Sequence, residues 1–579
     1  MLLLFILVTV LGSPFEFDES ENTRYMLPVL QAADPSLFPN DSVVSAIAGF
    51  RSAFYEGLIW GIRAFGVSAD SVATVYLTLY VLVKTAMVGA MFWVVRVLGG
   101  TTPILALFAA LCCLTKVVPL GGTAIFGPRL THIEVAMVLD LLALGCFLKN
   151  KPAAAWLAMS IAVFIHPLVT LHLAIVLLPF LLHVLRQRPQ ANLAGGILFG
   201  AACISYYLVM APPPMSAAER EIFLTAKGAN AHISMFSQEL SGWVMIVLAL
   251  TIVTVGCRRF FDAGENLRLL VASALWGSLA ALMLSGLTVV TGSYRLAQIQ
   301  PMRLFHWVWL LVMIVLAFLT IKAFVKRPAI GVLLSAFCVF VILESLWALA
   351  FAAAIVIIFV AHPVLSRWYD QQRLDRFLGA VSAAGLILPI TVWTIAGHLP
   401  FESFRDWGLL APCLALLAAL WASKESTRLQ VVTAAFGFAV VRMILYSWET
   451  SETQSSRDWM EVRQWVESHT PPAARFVIPS DGIGFRLIAR RTAVNEPMSA
   501  IAWVAPLEYA RNQHLVDQAQ LLCGDATCDL PALLQFAREQ DATFVILRGK
   551  PADYGVQPLA VRGSYMVLQI QNLTWKRPL

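Results

Sequence analysis

RLFHWVWLLVMIVLAFLTIK, Arg303 to Lys322, is twenty residues long and carries no Asp, Glu, Lys or Arg between its two basic ends. Wound as a helix it rises about 30 Å, the thickness of the hydrocarbon core of a bilayer. Similar apolar runs, separated by short polar breaks, lie near 72–97, 102–118, 132–148, 153–165, 168–185, 193–211, 242–257, 269–291, 329–343, 346–362, 377–397, 408–423 and 429–447. With the apolar opening Met1 to Leu11 they make about 13–15 spans. The whole chain agrees: 59% of its 579 residues are hydrophobic, its mean hydropathy is +0.75, and 13% are charged, against about 25% in a soluble domain. A soluble enzyme is excluded.

Charge divides the chain in two. Residues 1–447 hold 28 Lys+Arg and 21 Asp+Glu, whereas the 132 residues of 448–579 hold 13 and 14. The first part reads as an all-α polytopic membrane domain, the second as a small water-soluble α/β domain. The net charge of +6 belongs to the membrane part and reports topology; it does not point to nucleic acid. If the chain after Phe15 emerges outside, alternating spans collect Arg96, Lys149, Lys151, Arg186, Arg188, Arg258, Arg259, Arg268, Lys322, Lys326, Arg327, Arg367, Arg373, Arg376, Lys424 and Arg428 at inward loops. That is the positive-inside pattern, and it puts 448–579 on the outer, extracytoplasmic side.

The first outward loop, 14–71, opens on FEFDESENTRY, where Asp18, Glu19 and Glu21 crowd the membrane exit beside Arg24 and Tyr25. DPSLFPND follows and ends on Asp41; then Val43, Ile47, Phe50, Phe54, Leu58, Ile62 and Phe65 recur every three or four residues, as in an amphipathic helix lying at the interface. The bland reading of the acids is a solvated loop. The functional one is a general base, or the holder of a divalent cation, magnesium or manganese, with Asp18 and Glu21 as its ligands and Asp41 as an accessory acid.

Two further clusters stand at outward helix entrances. Arg129 and His132 share a face where a span begins, and their charge adds to the positive helix end, a suitable seat for a phosphate. Arg295 and Arg303 flank QIQPM at the mouth of the quoted span, and Arg303, which begins that span against the topology preference, is expected to have a partner. Lys84 and Asp140 lie mid-span and are expected to pair internally, while His166-Pro167 marks a break between helices. In the C-terminal domain Trp459, Val462 and Trp465 line a helix ending at Thr470-Pro471-Pro472, and strands are expected over 474–478, 542–547 and 564–568. Arg486, Arg490 and Arg491 in GFRLIARR suit a solvated strand face better than an anionic ligand. Cys523 and Cys528, the two cysteines of this domain, suit a disulfide.

The many spans, the acidic motif in a long first outward loop with interfacial helices, and the extracytoplasmic C-terminal domain together resemble the membrane glycosyltransferases of the C-type fold (GT-C). Asp18-Glu19 is similar to the acidic pair of that superfamily, and Glu21-Asn22-Thr23-Arg24-Tyr25 to the acidic-Thr-Arg-Tyr stretch of its lipid-A aminoarabinose transferase branch. DPSLFPND, FGPRL, His166-Pro167, QPMR and WMEVRQWVESHTPPAARFVIP look most like a bacterial family of largely uncharacterised GT-C-like proteins. The resemblance implies an enzyme of the bacterial inner membrane that takes a sugar from a polyprenyl-phosphate donor and passes it to a glycan, lipid or protein acceptor. Asp18 or Glu21 would then act on the acceptor hydroxyl, and Arg129, His132, Arg295 and Arg303 would hold the donor phosphate. A transporter or flippase, or a non-catalytic partner in polysaccharide assembly, is the alternative from another class. The charge pattern generates a direct expectation: a phosphatase fused after Leu579 is active and a reporter that works only in the cytoplasm is silent, the reverse pattern placing every cluster on the wrong face.

Overall fold

The computed structural model describes residues 20–49, 51–114, 120, 130–210, 214–228, 230–261, 263–342, 347–368, 370–395, 430, 454–523 and 528–572. Met1 to Leu11, Asp18, Glu19, Arg129, the run near 408–423 and all but one residue of the run near 429–447 lie outside the described residues.

Among the described residues six helices are long and apolar enough to cross a bilayer: Ala69–Val97, Pro189–Val209, Leu240–Phe260, Glu265–Thr291, Tyr294–Lys326 and Trp347–Arg367. Pro167–Val176 and Leu178–Gln187 are apolar enough together but meet at a 70° bend, as in a broken span or a re-entrant loop, and Pro152–Ile165 and Pro328–Ile342 are shorter apolar helices. The run RLFHWVWLLVMIVLAFLTIK becomes the middle of the bundle. Every residue from Trp307 to Thr320 is buried, and the Trp307 indole donates to the Val169 carbonyl at 3.0 Å.

A bilayer offers helices no hydrophobic incentive to associate, because lipid tails are as apolar as leucine; close contact at small residues supplies it instead. Gly277 does this: a Cβ there would come within 2.8 Å of both Val176 and Val308. Gly145 and Gly195 lie under the rings of Trp93 and Trp156 in the same way. The expected break at His166-Pro167 is present, since the residue before proline is driven out of helical conformation. His166 is extended (φ −153°, ψ 95°) and its Nδ1 accepts from the Val169 amide at 3.2 Å, capping the next helix.

The first outward loop folds as three helices, Ser20–Ala33, Ser42–Ala48 and Ala53–Phe65. The single amphipathic helix expected over 43–65 is therefore two. Asp41 starts the first, and Ser52 interrupts the stripe in an extended conformation, its hydroxyl donating to the Ile165 carbonyl at 2.8 Å. Ile62 is buried, and Phe54 and Leu58 pack with it against Met26, Leu27 and Leu30; Trp60 and Phe65 on the same helix stay exposed, as suits an aromatic anchor at an interface. Helix Ala217–Lys227 is started by a Ser216/Glu219 capping box.

The C-terminal domain is α/β. Its strands β1 (Arg475–Val477), β2 (Thr492–Ala493), β3 (Phe544–Arg548), β4 (Ala560–Arg562) and β5 (Tyr565–Gln569) run in the order β2-β1-β3-β5-β4, with β1 parallel to β2 and β3 and the rest antiparallel. Alternate residues face two cores, as the period of a strand requires. Phe476, Phe544 and Ile546 meet Trp459, Val462 and Val466 of helix Gln454–His469, while Val477, Val545 and Leu547 meet Leu530, Leu533 and Leu534 of helix Leu530–Glu539. Cys523 and Cys528 are disulfide-bonded.

The outward loops and this domain share one end of the bundle. Arg51 reaches the Val209 carbonyl (3.3 Å), the Met302 amide reaches His232 (3.0 Å), Ser42 bonds Glu508 (2.6 Å), and Phe223 packs edge-on against Trp503. The glycine contacts predict a sharp contrast between neighbours: Gly195→Ala must displace Trp156 and lower the melting temperature of the purified protein, an overpacking cost of about 1–3 kcal/mol, whereas Gly196→Ala, with open space around it, leaves the melting temperature unchanged.

Candidate functional site

Where the first loop settles on the bundle, side chains from four chain segments meet. Helix Ser20–Ala33 brings Tyr25, helix Ala53–Phe65 brings Tyr55, the start of helix His132–Leu148 brings His132, and the proline break brings His166. All four are buried. Tyr25 stacks on Tyr55 with ring centroids 4.7 Å apart; His132 stands edge-on to both, at 4.8 and 5.3 Å, and stacks on His166 at 4.5 Å. A narrow crevice lined by Tyr25, Pro28, Ile47, Ala48, Tyr55, Glu56 and Ile59 opens beside them. Rings that offer both a flat apolar face and a polar tip can exclude water while still presenting hydrogen-bonding groups.

Next to this group lies a buried ion pair. Lys84 Nζ is 3.7 Å from Glu134 Oε1, both side chains almost wholly enclosed, and the ammonium lies 5.2 Å from the centre of the Tyr80 ring. The other Glu134 oxygen, Oε2, accepts from the amide and hydroxyl of Thr131, closing the capping box that begins helix His132–Leu148. Lys84 thus pairs with Glu134, and Asp140 instead accepts the Thr170 hydroxyl at 3.2 Å. The expectation of internal partners holds for both, with partners that one-dimensional spacing does not reveal.

Glu21 stands one helical turn before Tyr25, so the two positions share a face of helix Ser20–Ala33. His132 opens its helix as expected, within the ring cluster. Arg295 and Arg303 lie on either side of the Gln300 turn, whose φ of 53° is left-handed. Arg295 is exposed and its Nε donates to the Tyr294 hydroxyl at 3.4 Å; that ring also lies 4.6 Å from the Arg220 guanidinium. Arg303 is half-buried at the mouth of the central helix.

Asp41 is corrected. It is not poised as an accessory acid, because its Oδ1 accepts the amides of Val43 and Val44 (3.0 and 3.2 Å) and its Oδ2 binds Arg486 Nε at 2.9 Å in a buried ion pair. Such an N-cap contributes about 1 kcal/mol to its helix. Arg486 is corrected with it: GFRLIARR is no solvated strand but holds a short helix, Phe485–Ala489, whose arginine is wholly buried between Asp41 and Glu496. Burial pushes the Glu496 carboxyl above its ordinary range against the opposing pull of Arg486, while the two acids together hold the guanidinium charged. Among the described residues no three His, Cys, Asp or Glu side chains converge as metal ligands.

No curated protein matches the chain in sequence. Residues 457–496 match a family model described as a domain of unknown function (DUF6798), a stretch that contains both Arg486 and Glu496. Among solved structures the chain is similar to ArnT from Cupriavidus metallidurans in the apo state (14% identity, TM-score 0.47, covering 98% of this chain and 97% of that one) and to the same protein bound to undecaprenyl phosphate (13%, 0.49, 98% and 96%). It is also similar to the archaeal oligosaccharyltransferase AglB from Archaeoglobus fulgidus in complex with an inhibitory peptide and a dolichol-phosphate (14%, 0.32, 94% and 69%).

The Lys84–Glu134 pair predicts an asymmetry. Lys84→Met leaves Glu134 bonded to Thr131, whereas Glu134→Ala removes both the helix cap and the carboxylate nearest a buried ammonium. Glu134→Ala should therefore lower the melting temperature more, on the scale of the about 3 kcal/mol typical of breaking a buried pair; equal shifts would show that the Thr131 cap adds nothing beyond the pair.

Proposed function

We propose that the chain is a membrane glycosyltransferase that moves a sugar from a polyprenyl-phosphate donor to a glycan, lipid or protein acceptor at the extracytoplasmic face. One observation carries the reading: the first loop, from Ser20 on, is folded over the helix mouths, with Tyr25 of its first helix packed against His132 and Tyr55 beside the buried Lys84–Glu134 pair. A lipid-linked sugar keeps its tail in the bilayer and its phosphate at the interface, so the bond to be broken lies at that depth. Displacement at the anomeric carbon requires a carboxylate to take the acceptor proton and positive charge to receive the leaving phosphate.

Asp18 or Glu21 is the base in this reading, with Glu19 beside it. Arg129, His132, Arg295 and Arg303 provide the positive charge, the arginine forks matching phosphate oxygens. Crowded acids raise one another's pKa unless a cation lies among them. Arg24, or a magnesium or manganese ion on Asp18 and Glu21, supplies it.

The bent pair Pro167–Val176 and Leu178–Gln187, next to the buried Asp140–Thr170 contact, favours a second reading, a transporter or flippase of a lipid-linked substrate. One experiment separates the two. Protein in liposomes is given labelled polyprenyl-phosphate sugars, with and without chelator, and both released polyprenyl phosphate and donor movement between leaflets are measured. Release is expected, and Asp18→Asn or Glu21→Gln should reduce it by about a thousandfold with donor binding retained. Full release by the double variant removes the first loop from the chemistry, and movement without release supports the transporter.

A further inference from the structure

The stretch Phe485–Glu496, within the segment matched by the family model of unknown function, does more than complete its own sheet. Its short helix Phe485–Ala489 lies against the first outward loop and touches it at three places. Arg486 pairs with Asp41 at 2.9 Å in the middle of the loop. Leu487 is buried in the same apolar cluster as Met26, Leu27, Leu30, Val43 and Val44. Arg490 bonds Asp70 and the Ala69 carbonyl where the loop turns into the first long span, and is itself held by Glu467 at 3.1 Å.

The Arg486 contact is built from both sides. Within its own domain Glu496 accepts Arg486 Nη1 at 2.9 Å and the amides of Phe485 and Arg486 at 2.8 and 3.3 Å, and Arg486 Nη2 donates to the Ala493 carbonyl. The guanidinium plane is thereby fixed before it meets the loop. On the far side Asp41 uses one oxygen to start helix Ser42–Ala48 and the other to bind Arg486, so the ion pair and the loop's helix boundary depend on one side chain. Asp41, Arg486 and Glu496 are each at least 97% buried. A surface ion pair contributes little, whereas breaking a buried one leaves an uncompensated charge.

We propose that this stretch is a docking clamp and Arg486 a positioning residue: it touches no reacting atom, and it sets where the first loop, with its acids, stands over the helix mouths. The C-terminal domain would then be part of the site's geometry. The effect on turnover rests on the glycosyltransferase reading above; the docking itself does not.

The test uses the full chain in liposomes with Arg486→Gln, Arg486→Lys, Asp41→Asn and the Asp41→Asn/Arg486→Gln double variant. Docking is read by cross-linking a Ser42→Cys/Glu508→Cys pair with a short bis-thiol-reactive reagent that spans the length of the lost glutamate side chain, since the Ser42 hydroxyl lies 2.6 Å from the Glu508 carboxylate in the parent. Transfer is read as kcat and KM per folded molecule, and undecaprenyl phosphate binding is measured separately. Arg486→Gln should cut the cross-link and kcat about tenfold or more with KM and lipid binding nearly unchanged, and the double variant should be no worse than the single, because the two residues act as one contact. Arg486→Lys should recover part of both. If Arg486→Gln does not fold, Asp41→Asn carries the test, since the amide keeps the helix cap and the domain keeps its Arg486–Glu496 pair. Cross-linking and kcat close to parent in the single variants, or effects that simply add in the double variant, overturn the clamp. A parent that releases no polyprenyl phosphate overturns the glycosyltransferase reading, and the cross-link still decides the clamp.

Discussion

Inside hydrocarbon every backbone N–H and C=O must find a partner within its own segment or be sheltered by protein, and this constraint orders the molecule. Among the described residues it makes the long apolar runs helices and puts the fully enclosed one, Trp307 to Thr320, at the centre. It also drives irregular backbone to the bundle ends. The break at His166 shows how that is managed: the helix stops before Pro167, and the His166 ring accepts the Val169 amide that the stop would otherwise strand. Because the break lies at the mouth shared with the first loop, the ring that repairs the backbone is also a member of the candidate site.

Charge obeys the same economy. A cation or acid enclosed by apolar helices is expensive unless paired, and the described structure answers with Lys84 beside Glu134 and Asp140 beside Thr170. Glu134 holds a helix start with one oxygen and faces Lys84 with the other. Asp41 divides its oxygens in the same manner, between a helix start and Arg486. Tying an ion pair to a helix terminus lets one carboxylate satisfy two neighbours at once.

The C-terminal domain is held to the outward loops by polar and apolar contacts together. Arg486 and Leu487 grip the first loop, while Trp503 meets Phe223 and lies 5.7 Å from the Lys227 ammonium in the loop that follows helix Pro189–Val209. A domain that touches two loops over one helix mouth fixes their relative position, which reactions between bound groups require to within a fraction of an ångström.

Apolar run length and composition are local properties, so the sequence by itself determined that the chain is a mostly helical membrane protein with a small C-terminal α/β domain. Proline signals are local too, which is why the helix start at Pro167 was legible. The partners were not. Lys84 and Glu134 are fifty positions apart, and Asp41 and Arg486 are 445 apart. GFRLIARR shows why such pairs escape a linear reading: its arginines look like a solvated face because a guanidinium is usually exposed, and only the fold reveals that a carboxylate of the first loop and one ten residues further on enclose one of them. Contacts between remote segments depend on how helices and sheet pack in three dimensions, and only the tertiary structure could decide that an acid of the first loop is a strut.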